Sequence, residues 1–161
     1  MSLARRSNPS VESVIPHRTP FLFLDEVISL SESDATGIFC FDKQSPFLSG
    51  HFPNNPIVPG VLLVESLAQL VAYWALSRHP NRSVRLVELN RTRFIEPVFP
   101  GEPLSLHIQI IKAKLGLVIA DGWIERNQVR VAEARIKGFF PDDKRSNQKD
   151  YDQSGGVDKH D

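Results

Sequence analysis

An imidazole, a carboxylate and the open start of a helix share one short stretch of this chain. His51 lies in the run Ser49-Gly50-His51-Phe52-Pro53-Asn54-Asn55-Pro56-Ile57-Val58-Pro59-Gly60, and Glu65 follows fourteen residues after it. Pro53, Pro56 and Pro59 each fix φ and push the residue before them toward extended geometry, so residues 51–58 are predicted to form a stiff, non-repetitive loop. From Val61 to Leu76 the breakers vanish and Leu and Ala dominate, which predicts a helix starting at Gly60, with Pro59 where a first turn tolerates it. That helix is apolar nearly all round, the pattern of a rod buried on every side. Glu65, Gln69 and Tyr73, four residues apart with Ser66 beside them, form one polar seam along it. A carboxylate there is costly unless partnered or protonated. Such a Glu can pair with a buried Arg or cap a loop, and a lone His among Gly and Pro is often only a hydrogen-bonded loop residue. Brought to one pocket beside the free N–H groups of Gly60 and Val61, the two would make a base, an acid and an oxyanion site.

His51-Phe52-Pro-x-x-Pro-x-x-Pro-Gly60-Val61 followed by Glu65-x-x-Ala68-Gln69 resembles the active-site signature of the (3R)-3-hydroxyacyl-[acyl carrier protein] dehydratases of fatty acid synthesis. Ile15-Pro16-His17-Arg18-Thr19-Pro20-Phe21-Leu22-Phe23-Leu24-Asp25 is similar to that family's opening segment. Asn90-Arg91-Thr92-Arg93-Phe94 and Pro97-Val98-Phe99-Pro100-Gly101-Glu102 resemble its later motifs, in the same order. The resemblance covers about residues 10 to 140.

It implies a hot-dog fold, with two protomers joined sheet edge to edge and active sites at the interface, so that His51 of one protomer meets Glu65 of the other. A homodimer is expected, and a trimer of dimers is the larger assembly it allows. The implied reaction removes water from a (3R)-3-hydroxyacyl thioester. His51 takes the C2 proton, the N–H of Gly60 or Val61 steadies the thioester oxygen, and Glu65 gives a proton to the departing hydroxyl. Gln69, with Pro59 in support, would orient Glu65; a hydrogen bond that merely satisfies the dimer seam is the alternative for Gln69. No metal or redox cofactor is implied, since the substrate rides on the phosphopantetheine of an acidic acyl carrier protein. Phe21, Phe47, Phe52, Leu62 and Phe94 are candidates for an acyl tunnel, though each can equally be core. Departures from the family pattern are Asn54 where Gly is commoner, Thr19 where an aromatic is common and Val58 where Met is frequent. Glu65 and Val61 set the chain apart from the isomerising relative, which usually carries Asp and Cys there. Other readings are a hot-dog thioesterase, an enoyl-CoA hydratase and a catalytically silent hot-dog subunit.

A length of 161 residues with 41% hydrophobic content suits one domain with its own core. The expected layout is a flexible N-terminus over 1–10, the catalytic domain over 11–140 and a polar tail over 141–161 with almost nothing to bury. Equal counts of 19 basic and 19 acidic residues offer no global field for nucleic acid or an anionic membrane. Locally, Arg78, Arg82, Arg85, Arg91 and Arg93 face only Glu88, which fits docking of an acidic carrier or, equally, solvated and internally paired arginines. Cys40 alone allows no internal disulfide and suits a reducing cytoplasm. The greasy segment 61–76 is short for a bilayer and carries Glu65 and Gln69, so no membrane insertion is expected. A helical turn over 13–18 and strands over 21–30, 35–42, 84–89, 94–98, 104–114, 115–126 and 129–140 complete the reading. Bends are expected at residues 113–116, 121–122 and 126–128. One long apolar helix among so many strands implies an α+β domain whose curved antiparallel sheet wraps the helix.

Overall fold

The computed structural model describes residues 8–141. The tail expected over 141–161 lies almost entirely outside the described residues. In chain order the elements are α1 (Val11–Val14), β1 (Glu26–Leu30), β2 (Asp34–Cys40), α2 (Gly60–Arg78), β3 (Arg85–Phe94), β4 (Pro103–Lys114), β5 (Leu117–Arg126) and β6 (Val129–Phe139). The strands form one antiparallel sheet in the order β1-β2-β4-β5-β6-β3, which leaves β1 and β3 as its edges. Its concave face closes on α2, which packs against β2, β4, β5 and β6.

The period-two pattern explains the wrap. Leu104, Leu106 and Ile108 of β4, Val118, Ala120 and Ile124 of β5, and Ala132, Ala134 and Ile136 of β6 are all buried, while their neighbours along each strand, Val131 excepted, are partly or fully exposed. α2 meets this face with Leu63, Leu67, Leu70 and Val71, each essentially without solvent exposure. The helix passes a length-and-apolarity test for a membrane span, but 72% of that window is buried inside the protein, which makes it the core's central rod.

Several expected boundaries move. The helical turn expected over 13–18 is α1, and it stops at Ile15, just before Pro16. The strand expected from Phe21 begins only at Glu26; residues 21–25 are held by bonds to Gln69 and to Ile38 O instead of by a regular ladder. The strand expected over 84–89 runs on as β3 to Phe94, with irregular pairing between Leu86 and Glu88 and between Asn90 and Arg93, whereas residues 95–98, expected as most of a further strand, lie outside any strand. Asp121-Gly122 is no bend: β5 runs straight through it, because Gly122 lies beneath Leu67, where a Cβ would stand 3.2 Å from that side chain. The real turns are Leu115-Gly116, with φ of 52° and 78°, and Asn127-Gln128, with φ of 50° and 67°. Positive φ at both central residues is the twist-matched geometry of a two-residue hairpin.

Residues 8–10, expected within a flexible N-terminus, are tied to the core. Asn8 Nδ2 donates to Val27 O at 2.7 Å, and the Tyr73 hydroxyl donates to Pro9 O at 2.6 Å. Tyr73 of the polar seam is therefore an anchor for the chain's beginning.

Candidate active site

The loop over 51–58 is braced as its prolines suggest, and the brace selects a tautomer of the neutral imidazole. Ile57 N–H donates to His51 O at 2.9 Å, and His51 Nδ1 lies 2.8 Å from Ile57 O. A carbonyl can only accept, so Nδ1 carries the hydrogen, and in the neutral ring Nε2 presents the lone pair. The His51–Phe52 peptide is cis, and the two rings stack at 4.3 Å. Asn54 has φ of 65° in the turn closed by the mutual bonds of Phe52 and Asn55. That left-handed conformation accounts for Gly being common there and for Asn being tolerated.

A second tier holds this loop in place. Val58 N–H donates to Val98 O at 2.8 Å, which ties it to the 97–102 motif. Arg126 in turn binds Pro97 O, Glu96 and both carboxylate oxygens of Glu102, and Glu102 accepts from Phe99 N–H. The Pro-Gly-Glu motif thus serves as a buttress.

α2 begins at Gly60, with Pro59 as its N-cap and no side-chain cap. The first N–H groups of a helix have no partner within it, which leaves those of Gly60 and Val61 at the positive end of the dipole. Phe94 of β3 lies directly over this point: a Cβ on Gly60 would stand 2.7 Å from its ring. Only a glycine admits that approach.

Gln69 is wholly buried and satisfied. Its Oε1 accepts from Phe23 N–H at 2.8 Å, which fixes the amide's orientation. Its Nε2 then donates to Phe21 O at 3.1 Å and to Glu65 Oε1 at 2.9 Å. Glu65 is the member of the seam that opens outward, into a cavity of about 110 Å³. Ala68, Val71 and Ala72 of α2, Val84, Arg85 and Leu86 at β3, and Ile136, Gly138 and Phe140 at β6 line that cavity with His17. Sequence reasoning missed this lining; the spacing Glu65, Ala68, Ala72 on one helix face was the signal available. His17 Nε2 lies 3.6 Å from Glu65 Oε1. Burial holds the His17 imidazole below its ordinary range, against the pull of Glu65 and helped by Arg18.

Among the described contacts, none joins His51 to Glu65 within one protomer. The aromatic candidates are dispersed as well. Phe21 packs edge-on to Phe23 and Phe47, Phe52 lies on His51, Phe94 covers Gly60, and Leu62 is buried in the core. β3 supplies the link between these groups. Leu86, Leu89 and Phe94 pair with Gly138, Ile136 and Ala132 and so share the concave face, yet they are 49%, 41% and 54% exposed. An apolar edge strand left uncovered beside the Glu65 cavity is an unfinished wall.

The family model of the FabA-like domain matches residues 15–135. The chain belongs to the FabA-like family. Its relatives include proteins named 3-hydroxyacyl-[acyl-carrier-protein] dehydratase FabZ. That of Bartonella henselae is 38% identical over 132 residues, 80% of this chain and 85% of the relative; that of Caldanaerobacter subterraneus is 39% identical over 132 residues, 80% and 94%. Among solved structures, the dehydratase heterocomplex ApeI:P of Xenorhabdus doucetiae superposes with a TM-score of 0.75 at 18% identity, covering 84% of this chain and 93% of that one. The PaaI protein of E. coli gives 0.57 at 23% identity, covering 70% and 80%. These two likenesses establish the hot-dog fold in this FabA-like chain.

The arginines considered for carrier docking are scattered in the FabA-like domain. Arg78 lies over the Trp74 ring at 4.2 Å, and it donates to Trp74 O and to Ser31 O, so it ties the end of α2 to the β1–β2 turn. Arg82 donates to Phe140 O at 3.4 Å, and Arg85 borders the Glu65 cavity. Arg91 sits elsewhere, in a hollow of about 200 Å³ on the outer face beside the Asp121–Arg135 pair.

Proposed function

We infer that this chain is a 3-hydroxyacyl-[acyl carrier protein] dehydratase, a hydro-lyase of fatty acid synthesis that converts a (3R)-3-hydroxyacyl thioester into the trans-2-enoyl thioester and water. The observation that carries the reading is how the two titratable groups are hydrogen-bonded. His51 is held through Nδ1 so that Nε2 can accept a proton, and Glu65 is held through Oε1 so that its other oxygen can give one.

In the reaction His51 Nε2 removes the C2 proton. The C2–H electron pair becomes the C2–C3 double bond as the C3–O bond breaks, and the hydroxyl leaves as water with the proton from Glu65. Charge gathering on the thioester oxygen meets the N–H groups of Gly60 and Val61, aligned with the helix dipole. The acyl chain lies along the apolar cavity, where the small Ala68, Ala72 and Gly138 leave it room. These steps use protein groups alone, and we propose no resident cofactor.

His51 of one protomer acts with Glu65 of its partner, the two copies joining along β3. That arrangement is supported by the uncovered Leu86, Leu89 and Phe94 and by the lack of a His51–Glu65 contact within one chain. The partner that delivers substrate is an acyl carrier protein, and Arg85, at the rim of the cavity, is the best placed of the arginines to meet its phosphopantetheine arm or acidic surface. The enzyme works in the cytoplasm. The test is hydration of a trans-2-enoyl thioester, followed by loss of its ultraviolet absorbance alongside free-thiol release. Hydration without thiol release is expected. Thiol release without hydration would make the protein a thioesterase, and neither, with the fold intact, a silent subunit.

A further inference from the structure

His17 sits in the Glu65 cavity without a role in the chemistry described so far. Its Nε2 is 3.6 Å from Glu65 Oε1, and its Nδ1 is buried with no hydrogen-bond partner among the described residues. A neutral imidazole must place its one N–H on one of these two atoms. On Nδ1 it would be a buried donor with no acceptor, whereas on Nε2 it faces an oxygen and leaves only a lone pair unsatisfied. Glu65 Oε1 already accepts from Gln69, whose own orientation is dictated by Phe23 N–H.

We propose that His17 is a positioning residue for Glu65, its Nε2–H held toward Oε1 so that Oε1 only accepts and the transferable proton resides on Oε2. The inference rests on Glu65 being the acid of the dehydratase. At 3.6 Å the contact is longer than a hydrogen bond; it shortens as the proton leaves and charge develops on the carboxylate, when a donor is worth most. The other charged groups facing His17 among the described residues are Arg85, across the cavity from β3, and its own neighbour Arg18. Arg18 is turned away, donating to the carbonyls of Glu12, Ile15 and His17. Sequence alone marked His17 only as part of the opening motif.

The direct test is a long-range proton–nitrogen NMR spectrum of the full chain labelled with 15N-histidine, His17 being assigned from the signal lost in His17→Gln. The neutral Nε2–H pattern at neutral pH is expected; the Nδ1–H tautomer or an imidazolium would overturn the proposal. Kinetics give a second, independent arm. His17→Phe keeps the ring but loses the donor, and kcat is expected to fall roughly 10- to 100-fold with little change in KM. Because the lost N–H favoured the carboxylate, the alkaline limb of the kcat profile moves to higher pH. His17→Gln, which returns an N–H near the same place, restores most of kcat and the position of the limb. Equal loss in both variants with an unmoved limb would make His17 merely structural. Glu65→Gln distinguishes the two failures: if it still dehydrates, Glu65 is not the acid and His17 has nothing to position, whereas a wild-type chain that does not hydrate the enoyl thioester overturns the proposed function itself.

Discussion

Gln69 uses every hydrogen-bonding group it has, and it does so in a place water cannot reach. Gln69→Leu would leave Phe23 N–H and Phe21 O unpaired against the helix. Unfolding in denaturant should show a loss of about 2 to 4 kcal/mol. The same variant frees Glu65 Oε1, so kcat should fall further than the stability loss explains. A second residue-scale expectation concerns His107 on the outer face, whose imidazole is held low by burial, opposed by Glu125 and aided by Arg130. A histidine with a depressed folded-state value contributes stability that is complete above its unfolded value, about pH 6.5, and lost as pH falls below that toward the folded value. Thermal unfolding should therefore drop in temperature as pH falls below about 6.5, and His107→Phe should show a smaller drop. An equal drop in both would assign the pH dependence to other groups. At this scale His51, Glu65 and Gln69 were legible from their types and spacing. The partners of Gln69 were not, because Phe21 and Phe23 reach it only once the chain has folded back on the helix across more than forty residues.

The start of α2 and the end of β3 meet at Gly60 and Phe94, and this contact decides how closely the helix dipole can approach the sheet edge. Gly60→Ala should force the ring or the helix aside, at a cost of about 1 to 3 kcal/mol. Phe94→Ala in the same chain should recover most of it, and a double-mutant cycle by chemical denaturation checks the coupling. Additive losses would mean that the two do not press on one another. The helix itself was legible because proline, glycine and an unbroken apolar run mark its start. β3 was legible over 84–89 but not on to Phe94, since all ten of its residues are exposed in the single chain and no alternation of buried and exposed residues marks its length. Gly122 was misread for a related reason: a glycine under a helix and a glycine in a bend look alike until the packing is known.

At the scale of the molecule, β2, β4, β5 and β6 wrap the helix, while along β3 the Glu65 cavity, the helix start and three exposed apolar side chains lie together. In the dimer proposed above, a second copy placed edge to edge there would close the wall and bring in the imidazole that acts with Glu65, which would make catalysis and assembly one property. A curved antiparallel sheet followed from period-two patterning around one apolar rod, whereas the strand order β1-β2-β4-β5-β6-β3 came only with the structure. The interface could be expected only from the family resemblance, because one sequence carries no direct mark of what its edge strand will meet. The decisive measurement mixes two inactive variants, His51→Ala and Glu65→Gln, lets their subunits exchange, and assays hydration of the enoyl thioester. A site shared between protomers predicts that activity returns, up to about a quarter of the wild-type level, since half of the dimers are then hybrids with one intact site of two. If exchange is complete and no activity appears, His51 and Glu65 do not act across the interface and the account is wrong.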